Sequence, residues 1–270
     1  MNLSTITAVK RPRTFEEIEW RDGHAFLAGG TWLFSEPQVG TDTLVDLHEL
    51  GWTPLVAGPE GLEIAATCRI VELHDFRGPP EWKAVPLVDQ CIDAFLMSFK
   101  IWNAATVGGN LVMALPAGAM VSLTAALEGV CTLWPRGGAP REVPVVDFVT
   151  GMHTTVLQKG ELLRSIRLPA SALRKRFAMR QVSLTRYGRS AALIVATVED
   201  DGSDFLLTVS AATPRPVHLR FARSPAAAEL RDAIEARLPP DAWFHDVHGS
   251  AAWKRHVTLH LAEQVRAELS

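Results

Sequence analysis

The chain has 270 residues, enough for two domains rather than one core. Apolar residues make up 47% and charged residues 21%, and a net charge of −3 excludes a general attraction to nucleic acid or to an anionic membrane. There is no apolar run of about 18 residues, and MNLSTITAVKRPR lacks an apolar leader core, so we expect a soluble cytoplasmic protein with no membrane insertion.

In chain order, HAFLAGG reads as a strand over His24–Leu27 ending in a glycine turn. Further strands are expected around Leu44–Leu47 and near Leu62–Ala65. After Pro116, AMVSLTAALEG predicts a helix with Met120, Leu123, Thr124 and Leu127 on one face, stopped by Gly129. VCTLWP and LLRSIRLP follow as strands, and a boundary is expected near Pro169. Beyond it, RKRFAMRQV, DFLLTVSAAT and RPVHLRFA predict a three-stranded antiparallel sheet. A helix over roughly Ala226–Arg237 is closed by Pro239-Pro240. The last helix starts after an N-cap at Ser250 and carries Trp253, Val257, Leu261, Val265 and Leu269 at i, i+4 spacing. The expected fold class is α+β, with one domain over 1–169 and a smaller sheet-plus-helices domain over 170–270.

Two segments, AGGTWLF from Ala28 and NAATVGGNLVMALP from Asn103, interrupt apolar sequence with paired glycines. Such pairs let a ligand approach bare backbone, and converging N–H groups suit the phosphates of a dinucleotide. A turn or bulge also accounts for either pair taken alone. Neither is a G-x-G-x-x-G opening a long helix, which argues against a Rossmann site, and neither carries the G-K-[ST] of a P-loop. Cys68, Cys91 and Cys131 are far apart and form no C-x-x-C, so neither an iron–sulfur cluster nor a structural zinc fits. They read as small buried apolar residues.

Four motifs in order, AGGT after a strand, LEIAATCRIVEL, NAATVGGNL with its following proline, and GELLRSIRLP, resemble the flavin (medium) subunit of molybdenum hydroxylases of the carbon monoxide dehydrogenase and xanthine dehydrogenase type. The similarity continues through PRPVHLRFA and DVHGSAAWKRHV, nearly the whole chain. The resemblance implies an FAD-binding PCMH-type domain, vanillyl-alcohol-oxidase-like, followed by the family's C-terminal domain. It implies that Ala28, Gly29, Gly30, Thr31 and Trp32 form one flavin loop and Thr106, Val107, Gly108, Gly109 and Asn110 the other. Leu163 and Arg180 match flavin-lining positions of some members, Arg180 standing where a lysine is familiar. Molybdopterin is implied on a large subunit and [2Fe-2S] clusters on a small subunit. The chain would take electrons from those clusters and pass them to an external acceptor, and it need contain no acid–base catalyst. Thr31 and Asn110 occupy the places where other branches of the fold carry a tethering histidine, so FAD binding is expected to be non-covalent.

Two positions depart from the family. Trp32 follows Gly-Gly-Thr where Asp or Ser is usual, and packing or stacking is its expected role. Ala119 stands where a carboxylate often follows the second loop, a loss of roughly 1–3 kcal/mol if that group bonded to FAD. These departures motivate a second reading, a flavin-free scaffold of the same complex. A third, a stand-alone flavin reductase of the enolpyruvyl-sugar reductase type, would need a proton donor and substrate-binding arginines in a separate domain. His245, His248, His256 and His260 lack the glutamate of H-E-x-x-H and read as surface or interface residues. The acid-free run from Arg164 to Arg189 holds eight basic residues. It reads as a solvated loop or, alternatively, a patch for an acidic partner.

Overall fold

The computed structural model describes residues 3–94 and 97–270. Near the N-terminus β1 (Ala8–Lys10), β2 (His24–Leu27) and β3 (Thr43–Asp46) form a parallel sheet in the order β1-β3-β2. Thr43, Leu44 and Val45 are buried on the middle strand, and the first glycine pair leaves the end of β2.

The second sheet is antiparallel. It takes β4 (Leu55–Gly58), β5 (Gly61–Ala65), β6 (Val130–Trp134) and β7 (Arg141–Pro144), then, after a small hairpin of β8 (Val149–Gly151) and β9 (Thr154–Thr155), β10 (Leu162–Pro169). Its order is β4-β5-β10-β6-β7, with β10 in the middle and a register shift between Leu163 and Ser165. Between β5 and β6 the chain runs through α1 (Ile70–His74), α2 (Leu87–Ala94), α3 (Phe99–Trp102), α4 (Val107–Met113) and α5 (Ala119–Ala126). Two short helices, α6 (Val145–Phe148) and α7 (Ala170–Arg174), bracket the sheet's end.

The segment after Pro169 departs from expectation. Four strands, not three, form its sheet: β11 (Arg176–Val182), β12 (Ala192–Val198), β13 (Ser203–Ser210) and β14 (Val217–Arg223), an antiparallel meander. The strand missed from the sequence is ALIVATV. All seven of its residues are buried, so it lacks the period-2 alternation of a half-exposed strand. The helices α8 (Ala227–Arg237) and α9 (Ala251–Leu269) follow, with Ser250 accepting from the Trp253 amide at 3.3 Å as the expected cap.

Helix α9 buries Leu261, Val265 and Leu269, but Trp253 and Val257 are only half-buried, and Lys254 and Thr258 take their places in the core. Each i, i+4 step advances a helical stripe by about 40°, so five such residues cannot all face one sheet. The single apolar face expected of α5 is also absent, because all eight of its residues are buried. The helix packs against α2 and α4 on one side and β12 and β13 on the other. Its hydroxyls bond within the helix or across this seam: Ser122 to Gly118 O (3.1 Å) and to Ser210 (2.7 Å), Thr124 to Met120 O (2.6 Å). Gly129 ends it as expected, donating to Thr124 O at 2.7 Å where a Cβ would sit 2.6 Å from that oxygen.

Below α5 lies an ionic cluster built around one buried lysine. Lys175, 2% exposed, bonds Glu128 and Asp204 at 2.7 Å each, and Arg220 bonds both carboxylates. Burial works against the Asp204 charge, but Lys175 and Arg220 together bring its pKa below the usual carboxylate value. Several other basic residues of the run are also engaged in structure. Arg164 lies 4.4 Å over the Trp52 ring, Arg167 pairs with Glu142, and Arg176 bonds Leu269 O. Removing the ammonium leaves two carboxylates facing one guanidinium. Urea unfolding of Lys175→Met is expected to show a loss of about 3 kcal/mol, against the ~0–1 kcal/mol of an ordinary surface pair.

Candidate functional site

The two glycine segments meet. Gly29 lies so close to the α3–α4 connection that a Cβ there would sit 2.0 Å from Ala104 O. The next residues, Ala105 and Thr106, lead into the second segment. That segment is not the loop expected from its sequence: Val107 to Met113 are helical, with Thr106 as N-cap accepting from the Gly109 amide at 3.1 Å. Gly108 donates to Ala66 O at 3.0 Å, and a Cβ on it would meet Ala66 Cβ at 2.5 Å. Gly29 and Gly108 are thus glycine because the protein's own backbone crowds them. Gly30, at φ +69°, adopts the left-handed conformation its type allows.

Around this junction opens a cavity of about 1190 Å³, somewhat larger than the roughly 300–1,000 Å³ usual for small-molecule sites. One wall is Phe26 to Leu33 with Gln38, and a second is Thr106, Gly109, Asn110 and the Leu115–Ala117 turn. His153 adds to these, while Tyr187, Arg189, Ser190, Ala211 and the turn from Phe244 to His248 close the far side. Of the residues singled out from the sequence, Ala28, Gly29, Gly30, Thr31, Trp32, Thr106, Gly109 and Asn110 line this cavity. Val107 and Gly108 lie behind it in the core. Leu163 is 2% exposed in the first core, opposite Leu133 in the sheet. Arg180 bonds Glu268 of α9 and Met179 O.

The cavity wall is rich in donors. Among the described residues, the amides of Gly29, Gly30, Thr31 and Trp32 donate to no protein acceptor. Gly30 O accepts from Phe34 N and Trp32 O from Ser35 N, which folds the segment into a tight turn. Asn110 Oδ1 accepts the Met120 amide at 3.0 Å and so caps α5, which leaves its amide nitrogen for the cavity. Ala119 is itself fully buried, so its missing carboxylate belongs to a position in the core here. Trp32 stacks against His153, ring centroids 5.8 Å apart at 43°.

The electrostatics suit an anion. The lining contains a single carboxylate, Asp246, which is paired with Lys254, while Arg189 lines the cavity with no acidic partner among the described residues. The residues present therefore fit an elongated ligand carrying phosphates and apolar rings. The His-rich tail divides: His245 and His248 line the cavity, whereas His256 and His260 are exposed on α9. His153, Ser190 and Phe244 carried no local signal, whereas Arg189, His245 and His248 were singled out for other roles; all are brought to the cavity from far along the chain.

The cysteines behave as expected, all three free and buried. Burial pushes the thiols of Cys68 and Cys131 up to about 12, and that of Cys91 upward as well, so they stay protonated at neutral pH. Among the described residues, no group of His, Cys, Asp and Glu is placed to hold a metal ion.

The family described as the FAD-binding domain in molybdopterin dehydrogenase matches residues 7–171, more than half of the chain. The chain belongs to this family. Among individual relatives, the glyceraldehyde dehydrogenase medium chain of Sulfolobus acidocaldarius is 28% identical over 171 residues, 62% of this chain. That match spans 59% of the relative's own length. In overall fold the chain is similar to quinoline 2-oxidoreductase from Pseudomonas putida 86, with a TM-score of 0.76 at 18% identity, covering 97% of this chain and 96% of that one. It is also similar to carbon monoxide dehydrogenase from Hydrogenophaga pseudoflava, with a TM-score of 0.79 at 18% identity and 96% of each chain covered. The reconstituted enzyme of Oligotropha carboxidovorans matches with a TM-score of 0.79 at 20% identity, over 96% of this chain and 97% of that one.

The glycines are separable by stability. Gly29→Ala and Gly108→Ala drive a methyl into backbone or a buried neighbour and are expected to cost about 2 kcal/mol or more. Gly109→Ala meets only the Thr106 hydroxyl, at 2.9 Å, and gains helix propensity, so it should cost under about 1 kcal/mol. Thermal unfolding of the three variants measures this directly.

Proposed function

We propose that this chain binds FAD non-covalently in the cavity and serves as the flavin subunit of a heteromeric molybdenum hydroxylase. The observation that carries the reading is the row of unpartnered amides from Gly29 to Trp32, in residues that line a large cavity with one neutralised carboxylate, in a chain of this family. Those amides and the Thr31 hydroxyl would hold the pyrophosphate, as backbone nests do elsewhere. Asn110 would add a donor from the neighbouring wall, and Trp32 with His153 an aromatic flank. Leu163 and Arg180 act behind the lining, Leu163 in the sheet's core and Arg180 by tying β11 to α9.

Bound FAD supplies the ability to take up electrons singly or in pairs. The chain's own part would be to bind and orient it through the Gly29–Trp32 segment, Asn110 and the aromatic flank. No acid–base group is required for this. With three protonated, scattered thiols, the described residues offer no ligand set for a cluster. The electrons would therefore come from the [2Fe-2S] clusters of a small subunit, fed by a molybdopterin-binding large subunit, and leave to an external acceptor. In this reading residues 1–169 form the FAD-binding PCMH-type domain, and 170–270 form the C-terminal domain that closes the cavity. The complex would act in the cytoplasm; no helix among the described residues is long and apolar enough to cross a membrane.

The expected result is a flavin absorbance spectrum that survives desalting of the purified chain after incubation with FAD, and free FAD released by acid. A colourless chain is then co-expressed with its partner subunits. Flavin absent from that complex too would overturn the reading in favour of a scaffold that has lost the cofactor.

A further inference from the structure

The far side of the cavity contains a turn bonded to one buried lysine. Lys254 lies in the first turns of α9 with its side chain fully buried. Its ammonium bonds Asp246 Oδ1 at 2.9 Å and Ala211 O at 3.4 Å, and it sits 5.0 Å over the Phe244 ring. All three of these residues line the cavity.

Asp246 in turn organises the turn it belongs to. The same oxygen accepts the His248 amide at 2.8 Å, and Asp246 and Gly249 exchange backbone bonds of 3.3 and 3.2 Å. Phe244 N donates to Ala212 O at 2.9 Å, which fixes the start of the segment. Between these points Val247 projects into solvent, 86% exposed, so the tip has no packing of its own. A buried ion pair is often replaceable by apolar side chains with little loss of stability. What such a replacement would remove here is the fixed position of the turn.

We propose that Lys254 is a positioning residue for the flavin site, acting through Asp246 to hold the Phe244–His248 turn as the wall that retains FAD. The inference rests on the flavin reading above. It predicts that FAD leaves faster when the pair is broken, even though Lys254 never touches the cofactor.

The test measures release of FAD from the wild-type chain, or from the co-expressed complex if that is where it is held, together with Lys254→Met, Asp246→Asn and the double variant. Apo-protein melting is followed in parallel. Release is expected to rise at least about tenfold in both single variants, the scale on which loss of one partner of a buried charge pair is felt. Lys254→Met should add nothing further on the Asp246→Asn background, since the lysine acts through that carboxylate. A purely structural role would lower apo melting and leave release from the folded protein unchanged. If Lys254→Met does not fold, Asp246→Asn, which removes the charge with almost no change of side-chain volume, decides by itself. Wild-type protein that holds FAD, with single variants that hold it equally long, overturns the role of Lys254 alone. Wild-type protein that holds no FAD in either form overturns the flavin reading itself.

Discussion

The site depends on the approach of Gly29 to the Ala104 carbonyl, an approach so close that any side chain would forbid it. That contact sets the turn leaving β2 against the lead-in to α4. Segments some eighty residues apart thereby become adjacent walls of one cavity. Gly108 does the same on the other side of α4, seating the helix on Ala66. The scarcity of Cβ atoms here is first a packing requirement. The donor-rich surface follows from it, because a turn held this tightly leaves the amides of Gly29 to Trp32 with no protein acceptor.

The C-terminal sheet joins this arrangement through α5. That helix is covered on all sides, and its hydroxyls either fold back on its own carbonyls or reach Ser210 on β13. His218 Nε2 donates to Ala125 O at 3.0 Å, with its pKa lowered chiefly by burial, so it spans the seam as a neutral ring. The Lys175 cluster closes the lower end. These links fix where β12 and β13 end, and hence where Ala211 and the 244–248 turn meet the cavity.

The two departures from the family pattern have physical counterparts. Ala119 is a core residue at the start of α5, and the capping work there falls to Asn110 from α4. Trp32 replaces a small polar residue with a broad ring that rests on His153 and narrows the cavity wall. Neither introduces a charge, so the lining keeps its bias towards anions.

The sequence by itself determined much of the local structure. Strand β2 with its glycine turn, the Gly129 stop, the Ser250 cap, the closure of α8 before its prolines and the burial of the three cysteines all follow from short-range chemistry. The ordered motifs around the glycine pairs also carried the family. Tertiary structure alone decided the rest. Strand β12 lost its alternation because both faces are covered, and α5 lost its single face for the same reason. The cavity's far wall, the pairing of Trp32 with His153 and the buried lysines arise from contacts between distant residues. Lys175 reaches Glu128 across 47 positions, Lys254 reaches Ala211 across 43, and Arg220 reaches Glu128 across 92. Periodicity and caps report only what lies within a turn or two along the chain, and a contact that closes a long loop leaves no local trace there.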